Sequence, residues 1–246
     1  MTPAASVAST ATLESIRRKR DRSRSAATSD RITLVPPQQH RATLVFLHGF
    51  QMKASDLLAD MTQVQECCPT WRIVLPQAPS IPITAHERAI TPSWYDYLTD
   101  TNGAAEDLID LASLRVARVQ LEALISAEVR LLSGAAQKGD DYGCLFIGGL
   151  SQGGTMALDL AARLPVAGVL TLAAPRLTVS MRQPLLCPWH GLFARNDAIF
   201  PASWTKPLRS EAIETWCEGG HDLEGADTVT YLATALQKFE ASRKDS

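Results

Sequence analysis

Residues 143–154 read Gly-Cys-Leu-Phe-Ile-Gly-Gly-Leu-Ser-Gln-Gly-Gly, and the serine set among glycines is the feature of this chain best suited to chemistry. A short apolar run of the kind that makes a buried strand ends in Gly149-Leu150-Ser151-Gln152-Gly153, and residues 155–163 follow at once with helical composition. Strand, G-x-S-x-G turn and helix in that order make a nucleophile elbow, which needs small residues because the backbone turns sharply around the serine. A serine hydroxyl is a weak nucleophile at neutral pH. It needs a base to take its proton, an acid to orient that base, and N–H donors for the oxyanion that develops.

Only His190 and His221 follow Ser151, and an elbow of this type takes its partners in the chain order serine, acid, histidine. His190 stands inside a strand-like run, Pro188-Trp189-His190-Gly191, and reads as a packed structural residue. His221 stands in Gly219-Gly220-His221-Asp222-Leu223, past the last strand-like run and before the last helix-like one. That is a loop at a strand's carboxyl end, where ligands and catalytic side chains gather in open α/β sheets. Asp197 follows the preceding strand-like run directly and is the candidate acid; its other reading is a helix cap before Ile199. Asp222 adjoins His221, and neighbouring side chains in an extended segment point apart. Glu211, Glu214 and Glu218 read as a solvated face. The candidate triad is therefore Ser151, Asp197 and His221. The oxyanion donors expected beside it are the backbone N–H groups of Gln152 and, in the first loop, Phe50, with His48 bracing that loop.

The elements that must position these residues are legible as alternating strands and helices. Apolar, β-branched runs at residues 42–47, 71–75, 144–150, 166–172, within 185–193 and at 212–217 read as strands. Residues 55–67, 104–132 and 227–240 read as helices, the second as one long helix or two, the first capped by Ser55 or Asp56. Residues 76–103 hold Pro76, Pro79, Pro82 and Pro92 and read as too broken for regular structure, a long loop of the kind that lines binding sites. Residues 133–141 read as a polar loop leading into the elbow strand. Alternation of this sort predicts an α/β fold, a mostly parallel sheet with helices on both faces.

Composition narrows the function classes. At 246 residues the chain suffices for one substantial domain. Hydrophobic residues at 46% and charged residues at 20% are ordinary for a soluble globular protein, and a net charge of −2 gives no general pull toward nucleic acid or membrane. That mean hides a split: residues 1–41 carry eight basic against three acidic residues, +5, so the remainder carries −7. Residues 1–30 are rich in Ala, Ser, Thr and Arg and read as a disordered basic arm, leaving 31–246 as the folded domain. An Arg- and Ser-rich start can also serve as an organelle transit peptide, while no secretory h-region is present. Five cysteines without zinc-type spacing suit free thiols in a reducing, cytoplasmic compartment. No run approaches the roughly 18 apolar residues of a membrane span, so stable insertion is not expected.

With these residues in view, the chain resembles the phospholipase/carboxylesterase family of α/β-hydrolases, which includes the acyl-protein thioesterases. The matching pieces are Phe46-Leu-His-Gly-Phe50, Leu75-Pro-Gln-Ala-Pro79 with Pro82-Ile-Thr84, Ser93-Trp-Tyr-Asp96, Gly149-Leu-Ser-Gln-Gly-Gly154, His190-Gly191 with Asp197 and Pro201, and Gly220-His221. The resemblance implies an α/β-hydrolase fold, the triad and oxyanion donors named above, and hydrolysis of esters or thioesters through an acyl-enzyme, without metal or other cofactor. It implies an acylated protein, a lysolipid or a small ester as substrate, and no nucleic-acid partner. Trp94 and Tyr95 are then expected to pack beside the acyl site, with Met52, Leu57, Leu58 and Ile90 as candidates for an apolar tunnel. The chain departs from the family in three places. Phe50-Gln51-Met52 stands where members typically read Leu-Gly-Asp, the stretch from Asp197 to His221 is short, and the basic arm is not a family feature. Three other readings stand beside this one: a small-ester hydrolase of a related group that shares the elbow and a Gly-Gly-His ending, a catalytically silent binding module, and an arm that binds anionic membrane or RNA.

Overall fold

The computed structural model describes residues 30–133 and 142–242. The arm expected at residues 1–30 lies outside them except for Asp30, as does most of the polar loop expected at 133–141. Nine strands are present among the described residues: β1 (Arg31–Leu34), β2 (Ala42–Leu47), β3 (Trp71–Pro76), β4 (Ser80–Ile83), β5 (Ala89–Pro92), β6 (Leu145–Leu150), β7 (Gly168–Leu172), β8 (Trp189–Ala194) and β9 (Ala212–Cys217). The helices that bear on the site are α1 (Leu58–Cys67), α2 (Leu111–Ser133), α3 (Gln152–Ala161), the single turn α4 (Ala202–Thr205) and α5 (Thr228–Ser242).

Seven strands form one sheet in the order β1-β3-β2-β6-β7-β8-β9, parallel throughout except for β1, which runs antiparallel on β3. The central strands are apolar on both faces because helices cover both. Along β2, Leu44 and Phe46 enter the cluster formed with α1 and α5, while Val45 and Leu47 enter the one formed with α2 and α3. That two-residue alternation is the pleat at work. On α2, Leu114, Ala117, Leu121, Ile125 and Val129 are buried at the three- and four-residue spacing that keeps one helical face on the sheet. All five cysteines are free thiols. No helix among the described residues is long and apolar enough to cross a membrane.

Two sequence expectations need correction. Residues 76–103 are not wholly irregular, since β4 and β5 pair as a separate antiparallel ribbon with Pro82 opposite Ile90 and Ser80 opposite Pro92. A two-stranded ribbon has two outer edges, where proline's missing N–H leaves no ladder bond unmade. The long helix begins at Leu111, not near Ala104. The Asp110 carboxylate accepts from the N–H groups of Ser113 (2.8 Å) and Ala112 (3.2 Å) and so caps it, and those bonds hold the Asp110 carboxyl below its ordinary range. Residues 97–110 instead make a separate excursion, closed at its base by Leu98 N–H on the Leu108 carbonyl (2.8 Å) and Asp110 N–H on the Asp96 carbonyl (2.9 Å).

The elbow is where β6 meets α3. Ser151 has φ 50° and ψ −121°, a conformation that costs an L-residue on the order of 1–3 kcal/mol and persists only where packing imposes it. Its N–H is tied to the Leu172 carbonyl of β7 at 2.8 Å. The flanking glycines permit the turn by their size. A Cβ on Gly149 would lie 2.4 Å from the Gly153 carbonyl carbon, and one on Gly153 would lie 2.3 Å from the Leu47 oxygen of β2. Both obstacles are backbone, so neither can swing aside. Gly153→Ala is accordingly expected to lose about 2 kcal/mol or more of stability in a urea titration, because the helix must lift from β2 to admit one methyl group.

Candidate active site

Ser151 sits at the tip of the elbow, and its Oγ lies 2.8 Å from Nε2 of His221. His221 is carried by the loop after β9, where the Leu223 N–H closes a turn on the Gly220 carbonyl at 2.9 Å. Nδ1 of His221 faces the Asp197 carboxylate, 2.9 Å from Oδ2 and 3.1 Å from Oδ1. Asp197 follows β8, and its Oδ1 also accepts from the N–H groups of Ile199 (2.8 Å) and Phe200 (2.7 Å). The capping and orienting readings of Asp197 therefore hold together: the backbone donors aim the carboxylate that meets the imidazole. Asp197 is nearly closed off, its side chain 4% exposed, while His221 at 20% stays open to the cavity. Asp222 is exposed and takes no part. His190 sits on β8 with its ring edge-on to Phe239, as a packed residue does.

The first loop is held by a buried polar network. His48 is fully buried, and its Nε2 accepts from the Ala78 N–H at 3.0 Å, so Nδ1 carries the proton and donates to the Gly49 carbonyl at 2.8 Å. Burial pushes the His48 imidazole below its ordinary value. The Gln51 N–H is tied to the Pro92 carbonyl (3.0 Å) and the Met52 N–H closes a turn on the Gly49 carbonyl (3.3 Å), which holds the loop on either side of Phe50. Gln152 opens α3, a position whose N–H has no carbonyl partner within the helix. Its side chain proves as informative as its backbone. It is fully buried, accepts from the Trp94 N–H (3.0 Å), and donates to Ser93 Oγ (2.8 Å) and the Tyr95 carbonyl (3.0 Å). The Trp94 indole N–H in turn donates to the His48 carbonyl at 2.8 Å. One chain of bonds thus joins the elbow to the first loop.

Beside Ser151 opens a cavity of about 260 Å³. Ser151, His221, Phe50, Tyr95 and Thr155 line it, together with Tyr97, Thr99, Asp100, Glu106, Asp107 and Ile109 from residues 97–110 and Arg176, Leu177, Ile199, Phe200 and Trp204 from the segments after β7 and β8. Tyr95 is there as expected, its hydroxyl 2.5 Å from Thr155 Oγ1; burial raises its pKa and raises that of Tyr97 to about 12, so both phenols are neutral. Trp94 is not on the cavity wall, because its indole is spent on the His48 carbonyl and braces the first loop from behind. Met52, Leu57, Leu58 and Ile90 do not line it either; Leu57 is core and Ile90 stands 69% exposed on β5. Glu211, Glu214 and Glu218 are exposed, as expected of a solvated face, but Glu211 and Glu214 also pair with the buried guanidiniums of Arg176 and Arg209. Sequence reasoning missed Asp100, Glu106, Asp107, Arg176 and Trp204, which come from segments far apart in the chain. The one available signal was the long irregular segment of residues 76–103, which reads as a site-lining loop and holds Asp100. Among the described residues no group of three or more His, Cys, Asp or Glu is arranged to hold a metal ion.

A serine hydroxyl on a strained turn within hydrogen-bond reach of an imidazole, with two candidate N–H donors beside an open cavity, is an arrangement that suits acyl transfer. Residues 30–218 match the model of a family described as phospholipase/carboxylesterase. The chain belongs to that family. The matched range holds Ser151 and Asp197 and stops just short of His221. Membership makes the chain a hydrolase acting on ester or thioester bonds. An acyl-protein thioesterase 1 of Neurospora crassa is 32% identical over 177 residues, covering 69% of this chain and 68% of the relative. A lysophospholipase-like protein 1 of Mus musculus is 30% identical, covering 61% and 60%. Among solved structures, an acyl-protein thioesterase 2 of Zea mays superposes with a TM-score of 0.64 over 85% of this chain and 98% of that one, at 14% identity, a likeness of fold.

The lowered pKa of His48 has a consequence for stability. The unfolded imidazole titrates near 6.5 and the native one below it, so the stability contributed by neutral His48 is complete above pH 6.5 and is lost as pH falls toward the native value. A His48→Gln variant is expected to show a shallower fall in Tm between about pH 7 and 5 than the wild type, measured by scanning fluorimetry.

Proposed function

We propose that this protein is a serine hydrolase that cleaves carboxylic esters or thioesters through an acyl-enzyme, with Ser151 as nucleophile, His221 as general base and acid, and Asp197 as the group that orients His221. The observation that carries the reading is the 2.8 Å contact between Ser151 Oγ and His221 Nε2 on a backbone held at φ 50°. In the first step Oγ attacks the acyl carbon while its proton passes to Nε2. The oxyanion accepts from the N–H groups of Phe50 and Gln152, and the imidazolium stays beside the Asp197 carboxylate. Collapse breaks the bond to the leaving oxygen or sulfur, which takes the proton from Nε2. Water then attacks the acyl-serine by the same route, releasing the acid and restoring the hydroxyl.

The relatives' names favour an acylated protein or a lysolipid as substrate, whereas the small, partly polar cavity favours a small ester, as in the related group. We assign the hydrolase domain to residues 31–246 and regard residues 1–30 as a basic arm outside it. Ser151→Ala is expected to abolish turnover of short p-nitrophenyl esters and labelling by a fluorophosphonate probe; full activity in that variant would sink the assignment. Asp197→Asn and His221→Ala should each lose on the order of 10³-fold or more in kcat, since the three act as a unit. Deleting residues 1–30 should leave kcat/KM for the same esters within about twofold if the arm is separate from the catalytic domain.

A further inference from the structure

Residues 97–110 run along the cavity as a strap fastened at two points to the segments after β7 and β8. The Glu106 carboxylate accepts from the Thr178 N–H at 2.9 Å and from the Thr178 hydroxyl, in the segment after β7. The Trp204 indole N–H, from α4 after β8, donates to the Gly103 carbonyl at 2.8 Å. The strap tip lies flat against the stretch that carries Asp197: Gly103 has φ 75°, and a Cβ there would sit 1.7 Å from the Ala198 oxygen. The strap is also braced internally. Asp107 Oδ1 accepts from the Thr101 N–H (2.7 Å) and the Thr99 hydroxyl (3.2 Å), and the Thr101 hydroxyl donates to the Ala105 carbonyl (2.6 Å).

The wall it presents is unlike that of a channel for a long hydrocarbon. Asp100, Glu106 and Asp107 line it; Asp100 lies 3.6 Å from Nε2 of His86, another lining residue, and among the described residues none of the three has a Lys or Arg ion-pair partner. Arg176, also in the lining, is buried with its Nε–H lacking any protein partner. Glu106 and Asp107 already accept from Thr178, Thr101 and Thr99, so the cost of laying a methylene chain here falls chiefly on exposed Asp100, whose solvent it would strip with no hydrogen bond in return. Apolar and aromatic side chains share the lining with them, among them Phe50, Tyr97, Ile109, Leu177 and Phe200. The volume, about 260 Å³, falls under the roughly 300–1,000 Å³ of sites that enclose drug-sized ligands.

We infer that the strap is the acyl-length determinant of this enzyme and that Glu106 and Trp204, as its latches, restrict the site to short acyl groups of about two to six carbons. This rests on the serine-hydrolase reading above and narrows its substrate class. A channel that continued past the strap would add about fourfold in kcat/KM per methylene, the equivalent of ~0.8 kcal/mol. The latched site ends that gain.

The test is a kcat/KM series over p-nitrophenyl esters of two to sixteen carbons, approximate lengths chosen around that increment, for the full-length wild type, Trp204→Phe, Glu106→Ala and Thr178→Val, with the fluorophosphonate probe run in parallel. Trp204→Phe removes the indole N–H together with one ring of a cavity-lining side chain, whereas Thr178 does not line the cavity, so Thr178→Val loosens a latch without removing a wall. The wild-type series is expected to peak by about six carbons, and the variants to raise the decanoate-to-butyrate ratio by about tenfold or more. A wild-type rate climbing steadily through dodecanoate, or a ratio unmoved in all three variants, overturns the inference while labelling and butyrate turnover leave the serine-hydrolase reading standing. A wild type that neither labels nor turns over any ester overturns both.

Discussion

The backbone of Ser151 is held where an L-residue is strained, and the close approach of α3 to β2 and β6 is what holds it there. Everything else in the site is referred to that one turn. The Leu172 carbonyl of β7 takes the Ser151 N–H, and Gly149 and Gly153 let the helix start within contact of two strands at once. Because the strain is supported by a fully buried helix, the serine is presented in one orientation and loses little on being met by a base. Asp159 on the same helix adds to this support. It is buried, takes a two-pronged bond from Arg118 of α2 at 2.5 and 2.7 Å, and is met by the Ser180 hydroxyl. Removing one partner of such a buried pair typically costs about 3–5 kcal/mol, so α3 is locked to α2 as well as to the sheet.

Around that turn the polar groups are arranged so that each one's orientation depends on another's. The Gln152 side chain fastens residues 93–95, Trp94 fastens the His48 carbonyl, and His48 fastens Ala78 and Gly49. These groups are buried, so each bond left unmade would carry a desolvation penalty, and that penalty makes the arrangement specific. The two N–H groups proposed as oxyanion donors lie on opposite sides of this network, one in the first loop and one at the start of α3. Their spacing is thereby set by side chains that never meet a substrate.

The remaining character of the site comes from what runs along it. The strap of residues 97–110 brings carboxylates and threonines to a cavity also lined by aromatic and aliphatic side chains, and it does so through bonds to segments that follow β7 and β8. Those same segments carry Arg176 and lead from Asp197 to Trp204. Substrate selection and the orientation of the proposed acid are therefore mechanically adjacent, joined by the Gly103 contact with Ala198.

Local chemistry made much of this visible in the linear chain. Gly149-Leu150-Ser151-Gln152-Gly153 between an apolar run and a helical one permits few conformations, because small residues at those spacings are what a strand-to-helix turn of this sharpness requires. The parallel sheet was legible for the same kind of reason, as strands buried on both faces are apolar throughout. His221 and Asp197 were legible as candidates from their positions after strand-like runs, and His48 as a brace. What tertiary structure alone decided is which long-range partners each polar group takes. Trp94 reads as a pocket residue until its indole is seen on the His48 carbonyl, and Glu211 and Glu214 read as surface charge alone until Arg176 and Arg209 are seen beneath them. Residues 104–110 have helical composition, yet Asp110 caps the helix later and frees them to run along the cavity. Propensity and periodicity are properties of neighbours a few residues apart, whereas a cavity wall is built from hydrogen bonds between residues some seventy to a hundred positions apart, such as Glu106 with Thr178 and Gly103 with Trp204.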